Sequence, residues 1–330
     1  MSRPPAALST RHTIRRVIQI AGSLIAGAIF VILLARQDWR QALASLRAMP
    51  VWTLPLVLVL LFSGLALNAL RWHLLLRSQG VPISFWLTLK IVVSGQFASN
   101  FLPSTIGGDA LRIVCILPLA EGTPGGRVLA AGSVVLDRAL NVAAMLTYLP
   151  FAWWVFAPLG GVATAGGGGA LLALPGGAEL KSWLKKQILN PAQRAFQFWR
   201  RRPLILAAAF LVAWLSILVV FVGVWVLARN LGLPVSLVDV MAVSALVYLV
   251  TLLPISVNGY GVREVAVTAL YVQLGATIEQ AAMLALTTRV LTLVETLPGA
   301  LWVSQVLATA ALGVDGAPPA AGAAWTEERP

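Results

Sequence analysis

The chain has 330 residues, of which 59% are hydrophobic and only 11% charged, with a mean hydropathy of +0.86 and a net charge of +12. A soluble domain carries about 25% charged residues, so this composition excludes a soluble enzyme or nucleic-acid-binding module and points to an integral membrane protein. One cysteine, Cys115, and two separated histidines, His12 and His73, exclude a disulfide framework and a metal centre built on those ligands.

Residues 1–16 are polar and basic and lead into an apolar run over 17–35. That run is longer than a signal-peptide core and lacks a small-x-small cleavage site, so it reads as a retained first span. A second span covers 51–70 and is closed by Arg71, Trp72 and His73, types that settle at a membrane interface. Two shorter apolar pieces, 85–102 and 106–119, come next, and 120–127 reads as loop. Residues 128–150 form a span carrying Asp137 and Arg138 near its middle. The Gly-rich stretch 160–175 reads either as a short, tightly packed span, which its small residues favour, or as a lipid-facing hairpin, and the basic stretch 177–203 as an amphipathic segment on the membrane surface. The cleanest span is 204–228. Then follow apolar pieces at 237–253 and 262–274, a last span over 281–307 with Arg289 and Glu295, and a tail, 311–330, whose Ala, Pro and Gly content predicts disorder.

One pattern occurs twice. Leu102-Pro103-Ser104-Thr105-Ile106-Gly107-Gly108-Asp109-Ala110-Leu111-Arg112 and Leu253-Pro254-Ile255-Ser256-Val257-Asn258-Gly259-Tyr260-Gly261-Val262-Arg263 both read Leu-Pro, four residues, Gly, three residues, Arg. The offset of 151 persists from Arg138 to Arg289 and from Leu140 to Leu291. A register held that long, with two arginines in it, is an internal repeat. Its cores are 85–150 and 237–307, linked through 177–203.

Loop charge sets the orientation. With a cytoplasmic N-terminus, and each motif at the tip of a helical hairpin, the cytoplasmic segments hold 15 Lys and Arg against 4 outside, the bias of a positive-inside protein. Three spans then separate the hairpins, so the repeats have inverted topology. The expected architecture is an all-α polytopic domain over 17–310 with about six full spans and two re-entrant or broken hairpins.

Arginine or aspartate inside a membrane costs about 2.5–3.5 kcal/mol by insertion scales. Arg112, Arg138, Arg263, Arg289 and Asp137 therefore face protein or water. Pro103 and Pro254 interrupt the helix and leave backbone N–H groups of the next half-helix unpaired. Gly107, Gly108, Gly259 and Gly261 permit close backbone approach. A half-helix N-terminus with an arginine one turn in suits an anion such as phosphate, with Ser104, Thr105, Ser256 and Asn258 as further hydrogen-bonding groups. Two roles are open to the arginines. They line a substrate site, or they are structural, with Arg138 paired to Asp137 or a neighbouring carboxylate and Arg112 and Arg263 snorkelling. Asp109 and Glu264 either neutralise the adjacent arginines or carry protons, and Glu295 is within the span that could bring it to Arg138 or Arg289. No nucleotide loop, nucleophile elbow, zinc motif or cofactor fingerprint is present.

Three blocks in order, Asn100 to Arg112, Ser133 to Arg138 and Asn258 to Glu264, resemble the lysylphosphatidylglycerol synthase transmembrane-region family over roughly residues 15–310. Asn258 departs from the glycine common at that position. The resemblance implies a flippase-like domain of a bacterial-type inner membrane that moves phospholipids or lipid-linked molecules. The cytosolic aminoacyltransferase domain of two-part members has no counterpart in the sequence, so no enzymatic activity and no cofactor is expected. The leading expectation is a translocase for amphiphiles with an anionic head group. Alternatives are a non-transporting membrane partner of a lipid-modifying enzyme and a small-solute secondary transporter.

Overall fold

The computed structural model describes residues 47–101, 107–120, 126–158, 199–252 and 261–312, and every regular element among them is helical. In chain order these are α1 (Thr53–Ser78), α2 (Phe85–Phe101), α3 (Gly107–Ile116), a 3₁₀ turn (Pro118–Ala120), α4 (Gly126–Leu146), α5 (Leu149–Phe156), α6 (Pro203–Asn230), α7 (Leu237–Leu252), α8 (Val262–Gln273), α9 (Ile278–Thr296) and α10 (Pro298–Leu312). Four stretches among the described residues are long and apolar enough to cross a membrane: Thr53–Ser78, Gly126–Phe156, Pro203–Asn230 and Ile278–Ala308. The protein is a helical, multi-pass membrane protein. At 1.5 Å per residue, α3 and α8 reach only about 15–18 Å, short of a hydrocarbon core of about 30 Å. They are half-helices. The expected spans at 17–35 and 160–175, the surface segment to residue 198, the centres of both Leu-Pro motifs and the tail lie outside the described residues.

Several boundaries differ from the sequence reading. The second span does not end at an interfacial Arg71-Trp72-His73 but runs on to Ser78, burying Arg71 and Trp72 to 3% and 0% exposure. The segment counted as loop from residue 71 is therefore helix for two more turns. Both C-terminal spans are divided rather than continuous: α4 gives way to α5 around Tyr148, with Pro150 in the first turn of α5, and α9 gives way to α10 at Leu297-Pro298. Proline lacks the N–H an unbroken helix needs.

The local chemistry of the helix ends recurs. α1 and α6 both finish on a glycine of positive φ, Gly80 at 84° and Gly232 at 82°. In each, the next N–H reaches back to a carbonyl five residues earlier, Val81 to Leu76 and Leu233 to Ala228. This is the glycine-terminated helix stop. The surrounding residues match as well: Arg77, Gly80, Pro82 and Ser84 recur as Arg229, Gly232, Pro234 and Ser236, at an offset of 152 rather than 151. Ser84 and Ser236 then cap the following helices, each hydroxyl accepting a backbone N–H three residues on, from Leu87 and Asp239. With that register, α1, α2 and α4 correspond to α6, α7 and α9 to within about two residues at each end.

Inside a membrane helix association rests on close packing, since lipid is as apolar as leucine. α1 and α6 lie side by side through small residues, where a methyl group on Gly64 would come 3.3 Å from the Ser216 carbonyl oxygen and one on Gly223 would come 3.4 Å from Leu60 Cβ. α3 crosses α2 backbone to backbone: a methyl group on Gly95 would lie 2.9 Å from the Gly108 carbonyl oxygen. On its other side α2 meets α10, with Gly299 against the Val93 carbonyl, while α7 packs against α8 and α5. The last helix of each half thus packs on the hairpin of the other. One apolar core joins α1, α6, α7 and α9 around Tyr148, Phe156, Phe221 and Leu284, and a second joins α1 to α4 around Trp72, Ile91 and Ile116.

Candidate functional site

α3 and α8 each begin beside a motif and carry the ionisable residues inward. Gly107 and Gly108 open α3, and Gly108 is held against Gly95 and the Ser99 hydroxyl, leaving no room for a side chain there. Asp109, in the first turn, is favoured by the helix dipole. α8 opens with Gly261 at φ 77°, whose N–H donates to Glu264 Oε2 at 2.8 Å. Pro103, Ser104, Thr105, Pro254, Ser256, Asn258 and Gly259 lie outside the described residues.

The first half forms a five-membered charge network. Asp137 accepts from Arg71 Nε at 2.6 Å and from Arg112 at 2.9 Å, with all three residues buried. Arg71 also donates to the Asn141 side-chain oxygen at 3.1 Å. The Arg112 guanidinium stacks over Trp72, 4.2 Å from the ring centroid, and Trp72 Nε1 donates to the Ser133 hydroxyl at 3.0 Å. Arg138 donates twice to Asp109, at 2.9 and 3.0 Å, and Arg112 approaches Asp109 at 3.6 Å. The partner of Arg138 is thus Asp109 on α3, not its neighbour Asp137, because consecutive residues on a helix point about 100° apart. Arg112 does not snorkel. Its charge is compensated inside the protein, at 7% exposure.

The second half repeats one bond and omits another. Arg289 on α9 pairs with Glu264 on α8, at 2.7 Å from Nε, tying span to half-helix as Arg138 does with Asp109. Glu264 therefore neutralises Arg289 rather than the adjacent Arg263. The residue equivalent to Asp137 is Thr288, so the counterion of Arg112 has no equivalent beside Arg263. Arg263 makes no hydrogen bond or ion pair with a described residue. Glu295 makes no hydrogen bond or ion pair with Arg138 or Arg289, and its Oε2 is buried without a partner among the described residues.

Accessibility separates these arginines further. The Arg138 side chain is 51% accessible, and Arg263 is partly accessible. α4 also packs against α7, so elements of the two parts of the chain meet near Arg138. The residues the sequence reading left out are Arg71, Trp72, Ser133 and Asn141. Arg71 carried a signal, since Arg71-Trp72 lies about two helical turns before the end of its helix at Ser78. Among the described residues no group of three His, Cys, Asp or Glu side chains could hold a metal ion.

With this geometry in place, comparison with known families gives a match over residues 19–299 to the model described as the lysylphosphatidylglycerol synthase TM region. A comparison with curated proteins gave no match.

Proposed function

The chain belongs to the lysylphosphatidylglycerol synthase TM region family, membrane regions linked to lipid modification or translocation, and from that premise we propose that it translocates lipids or lipid-linked molecules with an anionic head group. The observation that carries this reading is Arg263. Of the four repeat-paired arginines, Arg112, Arg138 and Arg289 are held by Asp137, Asp109 and Glu264, whereas Arg263 is partly accessible and has no hydrogen-bond or ion-pair partner among the described residues. A guanidinium in that position supplies a forked donor for phosphate. Arg112, with Arg71 and Asp137, serves as the rigid frame that holds α1, α3 and α4 together. Gly261 sets the start of α8, so that Arg263 falls in the first turn, where the helix dipole adds to its charge.

The chemistry proposed is movement without covalent change. The loop-charge bias supports an orientation with the N-terminus in the cytoplasm, in a bacterial-type inner membrane. The test is leaflet exchange in proteoliposomes with a fluorescent phosphatidylglycerol, read as the fraction protected from an external quencher. Exchange well above that of empty vesicles is expected. Exchange equal to empty vesicles, across several anionic lipids, would favour a non-transporting partner of a lipid-modifying enzyme.

A further inference from the structure

The Arg263 cluster holds a second group that anion binding alone leaves unused. Glu295 lies on α9, and its Oε2 is buried with no hydrogen-bond donor. Glu264 is fully engaged, by Arg289 on one oxygen and the Gly261 N–H on the other. Two groups remain without a direct partner among the described residues, Arg263 on α8 and Glu295 on α9, and these two helices pack against each other. With all four ionised, Arg263 and Arg289 balance Glu264 and Glu295, so the empty cluster is neutral. An anion on Arg263 takes up the charge that compensates Glu295 and leaves the cluster at minus one in a poorly solvated place, which is costly. One proton on Glu295 restores neutrality.

The other elements packed on α9 offer no competing neutraliser. On α1, Arg71 is held by Asp137 and His73 lies 3.3 Å from the Thr88 hydroxyl, while Arg77 is in the last turn. On α2, Lys90 donates to Gln305, and Asn100, which is uncharged, donates to the Thr296 hydroxyl beside Glu295. On α6, Arg229 sits in the last turn. α10 carries no ionisable residue between Pro298 and Leu312, and Glu279 of α9 is in its first turn, four turns away.

We propose that Glu295 takes up one proton for each anionic head group that Arg263 binds, so that translocation is a proton-coupled symport; this rests on the anion reading of the same site. The empty state holds Arg263⁺ and Glu295⁻. The loaded state holds Arg263⁺ with the head-group anion and Glu295 as the neutral acid, its proton taken from the water on the loading side. Release on the other side returns both anion and proton to that compartment. The site moves no net charge, so a pH difference drives it and voltage does not.

Two measurements on the full chain separate this inference from translocation itself. In phosphatidylcholine vesicles with and without phosphatidylglycerol, infrared difference spectra report the carbonyl stretch of a protonated carboxylic acid. Adding phosphatidylglycerol is expected to raise such a band, absent in Glu295→Gln and displaced in Glu295→Asp. In proteoliposomes, an imposed pH gradient is expected to speed wild-type exchange of fluorescent phosphatidylglycerol at least five-fold, a gain of about 1 kcal/mol of drive, and to leave Glu295→Gln unresponsive. If the wild type exchanges lipid with no response to the gradient and no Glu295 band, proton coupling falls and translocation stands. If the band responds but no lipid exchanges, translocation falls and anion-linked protonation stands.

Discussion

Asp137 is the residue on which the frame depends. It is the counterion of two buried arginines from two different helices, Arg71 of α1 and Arg112 of α3. Removing one partner of a buried charge group strands the others, at a cost of about 3–5 kcal/mol. Asp137→Ala is therefore expected to lower the thermal unfolding temperature in detergent sharply, and Asp137→Asn, which keeps hydrogen-bonding oxygen but not charge, to lower it less. An unchanged unfolding temperature in both would show that the network does not hold the helices. Arg138, only one residue on, belongs to a different arrangement. Its ion pair with Asp109 is half accessible, where water screens much of the attraction. Adjacent charged residues in the sequence thus serve separate purposes, and nothing in their spacing distinguishes them. What separates them is the hundred-degree turn between neighbours on α4 and the identity of the helix each then faces.

The helices themselves were largely legible, because apolar length and proline set them. The half-helices α3 and α8, and the register that links Arg138 to Arg289, follow from the motif residues alone. Two features escaped. α1 continues about two turns past the end expected for the span from Arg71 and Trp72, which look interfacial when read one at a time. The first helix of each half was not recognised as repeat-related, since its matching string, Arg77 to Ser84 against Arg229 to Ser236, runs at 152 and the motif at 151. That string also supplies a test of how the halves lie in the membrane. Ser84 and Ser236 cap α2 and α7 at exposed positions, and inverted repeats put them on opposite sides. In intact cells, a membrane-impermeant maleimide is expected to label Ser236→Cys directly and Ser84→Cys only after permeabilisation, while Cys115, 2% exposed, stays silent. Labelling of both from one side would show parallel repeats.

Taken whole, the molecule pairs two halves of similar helix order and unequal charge chemistry. The first half carries three arginines against two aspartates, closed into a network with buried Trp72. The second carries two arginines against two glutamates, with Arg263 and Glu295 left apart. The candidate site was legible in the sequence as a set of residues, Arg112, Arg138, Arg263, Arg289 and their acidic neighbours. Their division of labour was not, because it follows from Thr288 standing where Asp137 stands in the other half, a difference that acquires meaning only once α1 brings Arg71 to the first cluster. The most direct test compares Arg263→Ala with wild type for exchange of fluorescent phosphatidylglycerol in proteoliposomes, with thermal unfolding measured on the same samples. A fall of at least ten-fold, about 1.4 kcal/mol, with the unfolding temperature retained, is the predicted result. Exchange at the wild-type rate in a folded Arg263→Ala protein would contradict it.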